Sequence, residues 1–79
     1  PKRRNSLFET VITSANDELV NLFIKNKIKF NDIVYYLQKI LLDRKLIKYK
    51  RIYPKSLKEI IGLSKLVRLK TQSISVESH

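Results

Sequence analysis

The chain has 79 residues, with 17 Lys+Arg against 7 Asp+Glu, one Gly, two Pro, one His and no Cys, Met or Trp. That length holds one domain at most, and without cysteine there is neither a disulfide framework nor a Cys-based zinc or redox site. A single terminal histidine, His79, makes no metal cluster or catalytic dyad, and a single glycine makes no phosphate-cradling loop of the GxGxxG or GxxxxGK type.

The longest uncharged run, Thr10 to Asn16, is far short of the roughly 20 apolar residues of a membrane span. A hydrophobic fraction of 43% argues for a folded chain rather than disorder. A core of this size supplies no more than about 3–5 kcal/mol net, and a formal charge of +10 opposes compactness. The composition therefore predicts a small basic module that leans on a partner. The chain opens on Pro1 rather than Met, as expected of a processed product, a fragment or the visible part of something longer.

A basic arm, residues 1–6, precedes the first periodic stretch. Phe8, Ile12, Ala15, Leu19, Leu22 and Phe23 recur at intervals of three and four, with Val11 and Val20 widening the stripe. This spacing predicts a helix over about 8–26, ending where Asn26 tolerates the left-handed conformation. Asn31 is a good N-cap and Asp32 suits the first turn, so a second helix is predicted over 31–43. Its buried face is Ile33, Leu37, Ile40 and Leu41, with Phe30 stapled onto Tyr35.

Residues 44–55 read as a basic loop closed by Pro54, with Leu46 to Tyr53 as a short extended piece. Ser56-Leu57-Lys58-Glu59 then reads as a capping box, Ser56 bonding the Glu59 amide while the Glu59 carboxylate reaches back. Leu57, Ile60, Ile61, Ser64 and Val67 continue with helical spacing over about 56–70. Gly62 inside this helix costs about 1 kcal/mol relative to Ala and marks a close contact. Residues 71–79 read as a loose polar tail. The fold class expected is all-α: a small three-helix bundle over 7–70, with a basic loop between helices two and three and an irregular C-terminal tail.

Residues 14–33, SANDELVNLFIKNKIKFNDI, resemble the C-terminal helical domain of the 1-deoxy-D-xylulose 5-phosphate reductoisomerase family. The family pattern there is A-N-E-x-x-V-x-x-F-L-x-x-K/R-I-x-F-x-D-I. Ala15, Asn16, Asp17, Val20, Phe23, Ile24, Lys27, Ile28, Phe30, Asp32 and Ile33 match it identically or conservatively. Ser56 to Ile61 resembles the family's S-L-E-D-I/V-L, and Arg68 stands at its arginine. Thr13-Ser14, Ser64, Leu66, Val67 and Leu69 depart from it. The resemblance implies a three-domain enzyme with an NADPH-binding domain, a catalytic domain holding a divalent metal, and this helical domain behind them. None of the family's catalytic, cofactor or metal residues maps onto this sequence, so no catalytic residue, cofactor site or metal site is assigned.

The carboxylates do not form a catalytic pair either. Asp17 and Glu18 are adjacent on a helix, about 100° apart, and Asp32 and Asp43 are too distant to share a substrate; solvated or capping roles are expected of them. The cations are more suggestive. Arg44, Lys45, Lys48, Lys50, Arg51, Lys55 and Lys58 fall together without an acid among them, interleaved with Tyr49 and Tyr53. Lys25, Lys27 and Lys29 form a second cluster, and Lys2, Arg3 and Arg4 a third. Such residues neutralise RNA phosphates and stack on unpaired bases.

The expectation that follows is a non-catalytic structural subunit of a ribonucleoprotein, an organellar (mitochondrial or plastid) ribosome above all. Its partners would be rRNA and neighbouring proteins, with no cofactor, membrane or small-molecule substrate. A second reading is the C-terminal piece of a genuine reductoisomerase whose catalytic domains lie outside these residues.

Overall fold

The computed structural model describes residues 6–77, and within them every regular element is helical. In order these are α1 (Phe8–Ile24), α2 (Phe30–Leu41), the single turn α3 (Arg44–Ile47), a 3₁₀ turn (Lys48–Arg51) and α4 (Leu57–Glu77). The all-α bundle expected from the periodicity is what forms. The basic arm Lys2-Arg3-Arg4 and His79 lie outside the described residues.

α1 ends as its sequence predicts. Asn26 takes a left-handed φ of 61°, and the chain closes a Schellman motif in which the Lys27 amide donates to the Leu22 carbonyl at 2.8 Å and the Asn26 amide to Phe23 at 3.0 Å. α2 begins earlier than expected. Its cap is Lys29, whose amide donates to the Asp32 carboxylate at 2.9 Å, while the Asp32 amide returns to the Lys29 carbonyl. Phe30 thereby becomes the first helical residue, and the staple onto Tyr35 is replaced. Phe30 packs edge-on against Phe23, with ring centroids 5.7 Å apart.

The segment expected to be a basic loop with an extended piece is instead helical. Asp43 caps it, its carboxylate accepting from the Lys45 amide at 2.8 Å, and Leu46 anchors it by sinking into the core. Ile52, just after the 3₁₀ turn, is extended, and its carbonyl accepts from the Leu7 amide at 2.7 Å, tying the entry of α1 to this turn.

α4 starts at the expected box, Ser56 Oγ accepting from the Glu59 amide at 3.2 Å. The reciprocal bond comes from one residue earlier, the Lys55 amide donating to Glu59 Oε1 at 2.7 Å. The helix then runs through the residues read as a tail, as far as Glu77. The reason lies in small hydroxyl residues on its inner face. Thr71 and Ser75 are fully buried, and their hydroxyls bond back to the Val67 and Gln72 carbonyls. Their polarity is satisfied within the helix, so a polar sequence can still be an inner face.

The core has two joined parts. Leu7, Val11, Ala15, Ile40, Leu46, Leu63 and Val67 form one; Leu19, Leu22, Ile28 and Tyr36 form the other. Leu37 and Ile74 touch both. Of the stripe read on α4, Val67 is buried and Ile60 packs against the core, whereas Leu57 and Ile61 are exposed and Leu63, outside that stripe, is buried.

Candidate functional site

The cations do not converge. Lys25, Lys27 and Lys29 are exposed on the turn after α1, while Arg44, Lys45, Lys48, Lys50, Arg51, Lys55 and Lys58 are exposed around the opposite end of that helix. The two groups are held apart by a 17-residue helix, about 25 Å at 1.5 Å per residue. Tyr49 is half-buried against the core rather than free to stack on a base, and Lys48 Nζ lies over its ring at 5.3 Å. Lys50 Nζ sits 5.2 Å from the Phe8 ring centroid. Tyr53 is exposed.

The best-defined polar constellation lies elsewhere, along the seam between α1 and α4. Ser14 and Glu18 are one turn apart on α1, and Ser64, Arg68 and Gln72 are successive turns of α4. Ser14 Oγ donates to Ser64 Oγ at 2.8 Å. Glu18, read from sequence as a solvated carboxylate, is buried. It accepts from Gln72 Nε2 at 2.9 Å and from Arg68 Nη1 at 3.4 Å. Arg68 also reaches Asp17 at 3.6 Å, on the solvent side. A signal was present in the i, i+4 spacing of polar residues at 14 and 18 and at 64, 68 and 72, flanked by apolar positions. The seam is a structural clamp; its acid and base neutralise one another.

A second clamp joins α4 to the α2–α3 corner, where Lys70 Nζ lies 3.1 Å from Asp43. Partial burial pushes the Asp43 carboxyl up, but the Lys45 amide hydrogen bond and the Lys70 ammonium outweigh it. The net result is a carboxyl below its ordinary range.

Among the described residues no three His, Cys, Asp or Glu side chains are placed to hold a metal ion. The one glycine lies inside α4 rather than in a loop before a helix. No helix among the described residues is long and apolar enough to cross a membrane.

Comparison with known proteins decides the family. The profile of the DXP reductoisomerase C-terminal domain matches residues 2–70. The chain belongs to that family. It is 51% identical over 72 residues to the 1-deoxy-D-xylulose 5-phosphate reductoisomerase of Pelagibacter ubique (strain HTCC1062), covering 91% of this chain and 19% of that protein. To the enzyme of the same name from Proteus mirabilis (strain HI4320) it is 32% identical over 73 residues, covering 91% of this chain and 17% of that protein. The chain thus spans about a fifth of the length of these relatives. No solved structure matches it.

This membership overturns the expectation of a ribonucleoprotein subunit with rRNA and ribosomal proteins as partners. It also removes the ground for expecting no small-molecule substrate, since the relatives that the chain matches are named for a phosphorylated sugar. The charge that suggested RNA belongs to the surface of a reductoisomerase C-terminal domain.

Proposed function

We propose that this chain is the C-terminal helical domain of a 1-deoxy-D-xylulose 5-phosphate reductoisomerase, and that it is a non-catalytic buttress of that enzyme. The observation that carries the reading is the extent of the match. Nine-tenths of this chain aligns with about a fifth of each relative, and among the described residues no three His, Cys, Asp or Glu side chains are placed to hold a metal ion. Its contribution is mechanical: the α1–α4 seam and the Asp43–Lys70 bridge make a stiff block. Exposed Ile24, Phe30, Leu42, Leu57 and Leu69 give that block apolar surface to set against other parts of the enzyme.

The test is turnover by the full-length polypeptide that contains these residues. Supplied with 1-deoxy-D-xylulose 5-phosphate, a divalent metal and NADPH, it oxidises NADPH in a substrate-dependent way, and the 79-residue chain alone does not. A full-length product without substrate-dependent oxidation refutes the reading.

A further inference from the structure

We draw no further inference here: the strongest candidate, the exposed outer face of α4 where Gly62, read from sequence as marking a close contact, has nothing within 4 Å of where a Cβ would stand and where Leu66 and Leu69 are exposed, carries nothing because no observation in the structure shows what covers it.

Discussion

Replacing Arg68 with methionine keeps most of the side chain's apolar stem and deletes its guanidinium. Glu18 is then left buried with Gln72 as its remaining side-chain donor. At the observed 3.4 Å, two unit charges attract by about 5 kcal/mol at an effective dielectric of 20. Most of that does not survive as net stability. Arg68 is 39% exposed, so water screens it, and its contact with the still more exposed Asp17 adds little. Breaking a fully buried pair costs about 3–5 kcal/mol; with one partner hydrated, about 1–2 kcal/mol is expected for Arg68→Met. The core supplies only about 3–5 kcal/mol net, so this is a large fraction of the whole. With a slope near 1 kcal/mol/M, the urea midpoint drops by about 1–2 M. The assay is urea unfolding followed by far-ultraviolet circular dichroism, run as a double-mutant cycle with Glu18→Gln. A coupling of about 1 kcal/mol is expected. A midpoint shift under about 0.3 M for Arg68→Met, or strict additivity with Glu18→Gln, would refute the clamp.

Three further outcomes follow from the same coordinates. Asn26→Gly relieves a left-handed residue at φ 61° and is expected to stabilise by about 0.5–1 kcal/mol in thermal unfolding; a loss would mean that the asparagine side chain matters there. Leu46→Ala empties a site that is 2% exposed and is expected to cost about 2–5 kcal/mol, seen as loss or near-loss of the cooperative transition. Asp43 has a carboxyl held low by the folded state, so its charge contributes stability above the ordinary carboxylate range and loses it as pH falls through the lowered value. The stability gap between the native chain and Asp43→Asn therefore narrows as pH drops below about 4; a gap constant with pH would count against the Lys70 bridge.

What could be read from the residues divides along physical lines. Helix existence was legible wherever apolar spacing and a capping signal agreed, as at Asn26 and Ser56. It was not legible after residue 70. Thr71 and Ser75 look like tail composition, yet their size suits a close helix–helix seam and their hydroxyls bond back to their own helix. The short turns over 44–51 were hidden because buried Leu46 and half-buried Tyr49 are all that anchor them in the core, and two apolar residues three apart set no period. Glu18 was misplaced because a carboxylate is usually exposed. Only the partners arriving from α4, fifty and fifty-four residues on, make its burial affordable.

The function was misread for a related reason. A count of cations carries no information about what lies beside them, and lysine clusters attract any polyanion equally well. Placement discriminates where counting cannot. The described clusters stand at opposite ends of α1 rather than together on one surface. The family assignment agrees, because it surrounds this basic block with about four times its own length of further polypeptide in the relatives it matches. The excess charge is then that of a reductoisomerase C-terminal domain, carried in described clusters at opposite ends of one helix.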